Sequence, residues 1–123
     1  MTNPADELRA AAATLRTLAT AAADDSGNAT WKADRHFPEQ PDAGYTALWA
    51  TGARPLMRGG GGRGRPPAYV TAPVGDYIAA MGPTVGLALA TWLDAVASST
   101  HGVSSAFLDE ALAVARAING SQP

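Results

Sequence analysis

The side chains with reactive chemistry are few. His36 and His101 are the two histidines, and neither sits in an HExxH or HxH spacing that would hold a metal. Ser98, Ser99 and Thr100 run directly into His101. A nucleophile and its base must converge from separate elements, so this run reads as a turn rather than a catalytic pair. The carboxylates Asp24-Asp25, Asp76, Asp94 and Asp109-Glu110 fall where helix ends or solvated faces accept charge. Asp76 precedes an apolar segment and is expected to cap it. The absence of cysteine excludes thiol nucleophiles, zinc knuckles, iron–sulfur clusters and disulfides. The reading is non-enzymatic: no catalytic residue, no metal site and no cofactor is expected.

The run Arg58-Gly59-Gly60-Gly61-Gly62-Arg63-Gly64-Arg65 is the most unusual stretch. A phosphate-binding P-loop needs Gly-Lys-Ser/Thr opening a helix, whereas this run has no lysine and meets Pro66-Pro67. A dinucleotide fingerprint needs a strand–turn–helix around it, and none is present. Over Arg63-Gly64-Arg65-Pro66 the run resembles the core of an AT-hook, in which arginines enter a narrow minor groove and the glycine lies flat on its floor. It also resembles RGG segments that bind RNA. Arg54, Arg58, Arg63 and Arg65 have no acid among them from Gly52 to Thr71, so that stretch carries +4 in a chain of net charge −2. Two readings stay open: a loop that contacts phosphate or a partner, or a solvated hairpin tip. Trp31, Tyr45, Trp49 and Tyr69 lie in or beside the expected strands. They would form either an aromatic binding surface that stacks bases or a cover for helices beneath.

These residues need elements to position them. Asn3 is a good N-cap and Pro4 a good first helical residue, so a helix is expected over 4–23. Its apolar stripe is Leu8, Ala11, Ala12, Leu15, Leu18, Ala19 and Ala22, and Asp24 to Asn28 stop it. Region 29–73 holds most of the prolines and glycines and reads as a β-hairpin region, with strands at 30–35, 45–50 and 68–72 and a flexible loop at 54–67. By the period of two, Tyr45, Ala47 and Trp49 share a face. Region 76–119 is helical. A short segment from Asp76 to Met81 is stopped by Gly82-Pro83, and Pro83 opens a helix to about Ser98 with Val85, Leu89, Trp92, Leu93 and Val96 buried. Ser105 caps a last helix whose Leu108, Ala111, Leu112, Ala115 and Ile118 face the core and which closes on Asn119-Gly120. The fold class is α+β: a small antiparallel sheet of two or three strands with a long Gly/Arg-rich hairpin loop, packed on about four helices in a single domain, 1–123.

Composition agrees. The hydrophobic fraction is 46% and the charged fraction only 16%, with alanine about a fifth of the chain. A net charge of −2 excludes a uniformly basic nucleic-acid coat and an acidic DNA mimic. The most apolar run, 79–93, contains Pro83 and two glycines and falls short of the roughly 20 residues of a membrane span. The start, MTNPADELRA, lacks the charged and apolar regions of a signal peptide, so no membrane and a cytoplasmic location are expected. Alanine stripes bury little area per residue, and a homodimer using Trp92 or the first helix is expected to supply more.

The segment DYIAAMGPTVGLALATWL, Asp76 to Leu93, resembles a block in small proteins of actinobacteria, their phages and integrated elements, which in turn resemble early-region accessory proteins of lambdoid phages. The helix around Ala5 to Ala12, Trp31 after it, and the end around Ala111 to Ile118 agree, while the Gly-Arg loop lies outside the resemblance. The resemblance transfers no catalytic residue. It implies a phage- or mobile-element-type accessory protein that binds a host or phage macromolecule. The alternatives are a DNA/RNA-binding module working through Arg58 to Arg65, and a small-molecule-sequestering protein or enzyme with a pocket between sheet and helices.

Overall fold

The computed structural model describes residues 3–35, 44–57 and 68–122. Among them the order is α1 (Pro4–Ser26), β1 (Trp31–Arg35), β2 (Tyr45–Ala50), β3 (Val70–Thr71), α2 (Ala72–Ala80), α3 (Pro83–Ser98) and α4 (Ser105–Gly120). The fold is α+β, with four helices and a three-stranded antiparallel sheet of order β1-β2-β3. The chain divides into two compact units, Met1–Ala19 with Gly86–Pro123, and Thr20–Val85, so the boundaries fall inside α1 and α3.

In the first unit α1, α3 and α4 share a core of Leu8, Ala11, Ala12, Ala90, Leu93, Val96, Ala97, Ala111, Leu112 and Ala115. Leu8 and Leu93 are its largest fully buried side chains. Asn3 caps α1 as expected, its Oδ1 accepting from the Asp6 N–H at 2.9 Å. Arg116 clasps Glu7 through two hydrogen bonds of 3.2 Å, and the Glu7 carboxylate raises the guanidinium above its usual pKa by that bonding first and by its charge second. Arg16 pairs with Asp94 at 2.8 Å.

Several expectations about the helices are corrected. On α3 the packed positions are Ala90, Leu93, Val96 and Ala97, while Leu89 is half-buried and Trp92 and Val85 are exposed. On α1 Leu15 is half-buried and Leu18 exposed. The stripe expected on α3 followed its bulkiest side chains, but helices that meet closely turn their alanines inward. α1 runs three residues beyond 23 because its backbone stays helical until Gly27, at φ +93°. Ser104, not Ser105, caps α4, accepting from the Phe107 N–H at 3.4 Å. Asn119 and Gly120 remain helical, and Ser121 is the C-cap. α2 begins at Ala72, within the expected third strand, because Pro73 falls in the first turn, where a missing N–H costs nothing. Asp76 is therefore inside α2 and caps nothing.

In the second unit β1 and β2 pair over Trp31↔Ala50 to Arg35↔Thr46, and β2 and β3 over Tyr45↔Thr71 and Thr46↔Val70. The strand expected over 30–35 loses only Thr30, and the one over 45–50 is met in full. After β2 the chain turns at Thr51-Gly52, with Gly52 at φ +71°, and returns alongside. Ala50 N–H donates to Arg54 O at 3.1 Å, Leu56 N–H donates to Leu48 O at 2.9 Å, and Pro55 bridges to Trp49. Residues 54–56, expected as the start of the loop, thus continue the ladder beyond β3 on the same side of β2. No single helix among the described residues is long and apolar enough to cross a membrane.

Candidate functional site

Strand register decides where the aromatic residues go. Residues directly opposite in a ladder share a face, and neighbours along a strand alternate. Trp31, Ala33, Arg35, Thr46, Leu48, Ala50 and Val70 therefore lie on one face. Lys32, Asp34, Tyr45, Ala47, Trp49 and Thr71 lie on the other, with Tyr69 two positions before Thr71.

The first face carries α2. Thr46, Leu48 and Ala50 are all buried. Arg35 reaches Asp76 of α2 at 2.7 Å. Gly75 lies so near Thr46 that a Cβ there would overlap the threonine Oγ1, and that hydroxyl is a buried polar atom with no hydrogen-bond partner. Trp31 belongs to this closed side. Its indole N–H donates to Ser26 Oγ at 3.1 Å, and its side chain lies beside Gly82. Ser26 Oγ in turn donates to Asn28 O at 2.9 Å, while Asn28 Nδ2 holds Thr51 O at 2.6 Å. Trp31 is thus a tie between the end of α1 and the sheet, half-buried, and not part of an aromatic platform.

On the opposite face Tyr45 is 51% and Tyr69 46% exposed, their ring centroids 5.0 Å apart at 69°, an edge-to-face contact. Trp49 is half-buried on the same side. Lys32 and Asp34 stand there too, 3.4 Å apart. Three of the four expected aromatic residues therefore share a face and the fourth does not.

Arg54 is exposed and, by the register of Pro55 with Trp49, sits on the α2 side of the sheet. With Asp25, Ser26, Pro55, Leu56 and Met57 it lines a hollow of about 330 Å³. Arg58, Arg63, Gly64 and Arg65 lie outside the described residues, as does His36. His101 borders a second hollow of about 450 Å³ with Asn3, Pro4, Ala5, Thr100 and Leu108. Among the described residues no group of three or more His, Cys, Asp or Glu could hold a metal.

Two features escaped the sequence reading. The Gly75–Thr46 approach has no local signal, since it depends on which face of β2 receives α2. The second is an exposed apolar strip along α2 and its C-cap, Val74, Tyr77 and Met81, with Tyr77 68% exposed. Val74 lies before the segment expected from Asp76 to Met81, so the strip could not be assembled from that segment. No protein-family model, no characterised protein and no solved structure matches the chain.

Proposed function

We propose that the chain is a non-catalytic accessory protein of phage or mobile-element type that binds a host or phage protein through the open aromatic face of its sheet. The grouping of Tyr45, Tyr69 and Trp49 opposite α2 carries this reading. Tyrosine and tryptophan give large contact area at low entropic cost and are frequent anchors of protein interfaces. Lys32 and Asp34 on that face offset one another, which suits a protein surface better than a phosphate backbone. The mobile-element setting rests on the resemblance carried by Asp76 to Leu93, and a cytoplasmic site of action goes with it. The alternative, nucleic-acid binding through Arg58, Arg63 and Arg65, rests on the local charge of +4.

One experiment separates them. Wild type, Tyr45→Ser/Tyr69→Ser and Arg63→Ala/Arg65→Ala are each offered host and phage lysates and, separately, A·T-rich and G·C-rich duplexes. The proposal expects a discrete protein retained by wild type and by the arginine variant and lost from the tyrosine variant. Duplex binding that falls steeply with salt, disappears in the arginine variant and survives in the tyrosine variant overturns it.

A further inference from the structure

The end of α1 and the chain returning after β2 form two walls that carry opposite charges and do not neutralise each other. Asp25 and Ser26 close α1, while Arg54, Pro55, Leu56 and Met57 follow the Thr51-Gly52 turn. Together they line the hollow of about 330 Å³, all within the second unit. Both walls are fixed. Asn28 Nδ2 donates to Thr51 O at 2.6 Å, and Gly27 lies so near Ala53 that a Cβ there would stand 3.1 Å from the alanine Cβ. Ala50 N–H holds Arg54 O and Leu56 N–H holds Leu48 O, which ties residues 54–56 to the sheet. The Ser26 hydroxyl is buried and already bonded to Asn28 O and the Trp31 indole, so it is wall rather than binding group.

The charges are poorly placed for stability alone. Asp24 and Asp25 stand in the last turn of α1, which holds no basic residue, at the negative end of the helix dipole, where an acid is unfavourable. Arg54 lines the same hollow as Asp25, yet neither side chain makes an ion pair or a side-chain hydrogen bond with any described residue. An anion and a cation thus border one preformed space, each with its bonding capacity unused. Pro55, Leu56 and Met57 set aliphatic surface beside them, and the flexible Met57 thioether adapts to the shape it meets.

We propose that this hollow binds a small zwitterion, an α-amino acid with an aliphatic side chain. Its ammonium group meets the Asp25 carboxylate, where the end of the helix dipole adds to the attraction. Its carboxylate takes the Arg54 guanidinium, whose planar fork suits two parallel hydrogen bonds. Its side chain lies on Leu56 and Met57. A simple anion satisfies Arg54 and is repelled by Asp25 and the helix end, and a simple cation satisfies Asp25 and is repelled by Arg54. The volume is at the small end of ligand sites, which suits an amino acid better than a nucleotide. The site does not involve the aromatic face, and it stands whether or not that face binds a partner.

Asp25 and Arg54 are both exposed, so binding is weak, with dissociation on the order of 1 mM. Titrating the isotope-labelled full chain with L-leucine should move the NMR signals of the Asp25, Ser26, Arg54, Leu56 and Met57 amides and of the Trp31 indole N–H, which donates to Ser26. L-leucine amide lacks the carboxylate and N-acetyl-L-leucine the ammonium, and each should bind about fivefold more weakly. Glycine keeps both charges without the side chain and should also bind more weakly. Arg54→Gln and Asp25→Asn should each weaken leucine binding about fivefold, with Asp25→Asn at least as stable to denaturant as wild type because an acid leaves the negative end of α1. Tyr45→Ser/Tyr69→Ser should bind leucine as wild type does, which separates this site from the proposed partner surface. Unmoved signals at about 20 mM leucine, well above the expected dissociation constant, overturn the proposal. So does leucine without an advantage over glycine or over either analogue, full affinity in both charge variants, or loss of binding in the tyrosine variant.

Discussion

The helical core and the contact between α2 and the sheet both bring backbones together by leaving side chains out, and they do so differently. In the helical core six of the ten residues are alanine, set around Leu8 and Leu93. Approach is spread over many small contacts, and three leucines and Val96 fill the space that remains. Under α2 the approach is concentrated at Gly75, against a threonine whose hydroxyl is enclosed without a partner. The first arrangement is sensitive to losing volume and the second to gaining it.

Losing volume should have the larger effect. Leu93→Ala empties a fully buried site in a core in which six of ten residues are alanines, too short to lean in and fill it, and should cost about 2–5 kcal/mol. The same substitution at half-buried Leu89 should cost clearly less, although the two leucines are on the same helix. Denaturant midpoints of the two variants check this, and equal losses would mean that the alanine face is not the packed one.

Gaining volume comes next. Gly75→Ala improves helix propensity by about 1 kcal/mol, yet places a methyl against Thr46, and overpacking of that kind costs about 1–3 kcal/mol. A net loss of about 1 kcal/mol is expected. Thr46→Ala removes the unpaired hydroxyl together with a methyl group, so alone it should be near neutral. In the double variant the overlap with the hydroxyl is gone and only the 3.1 Å approaches to the residue 46 Cβ and Val70 Cγ2 oppose the gain in propensity, so it should be more stable than Gly75→Ala alone. A thermodynamic cycle over the four proteins measures that coupling, and simple additivity would place Gly75 away from Thr46.

The same contrast explains what was legible beforehand. β2 was placed to the residue because Tyr45-Thr46-Ala47-Leu48-Trp49-Ala50 is a short apolar and aromatic run between turn-rich flanks, and a period of two has one phase error only. The grouping of Tyr45 and Trp49 followed from that period. Trp31 did not, because its face depends on pairing with Ala50, which is a register and not a local pattern. On α3 the helix itself was legible, since Pro83 opens it, but its buried face was not. Where alanine and leucine both satisfy an apolar stripe, packing distance decides which turns inward, and that distance belongs to the neighbouring helices. The early start of α2 was hidden for a related reason. Pro73 and Gly75 read as breakers in isolation, whereas the first helical turn tolerates the one and Thr46 requires the other.

The open face should respond least in stability. The Tyr45 and Tyr69 rings touch edge to face, an arrangement worth about 0.5–1.5 kcal/mol when the rings are buried. Here each ring is about half in water, so much of the apolar area is never removed from it. Tyr45→Ser should therefore shift stability by less than about 1 kcal/mol, below the losses expected from Leu93→Ala and of the order of that from Gly75→Ala. Its place on the face opposite α2 means that no helix repacks when the ring is lost. If the ring is there to meet a partner, the same substitution should weaken partner binding well beyond that figure, since anchor aromatics at interfaces cost 2 kcal/mol or more on truncation, as a typical order of magnitude. Chemical denaturation and partner titration of one protein preparation read the two numbers side by side. A large stability loss with unchanged binding would make Tyr45 a packing residue, and the two faces of the sheet would then differ in degree rather than in role.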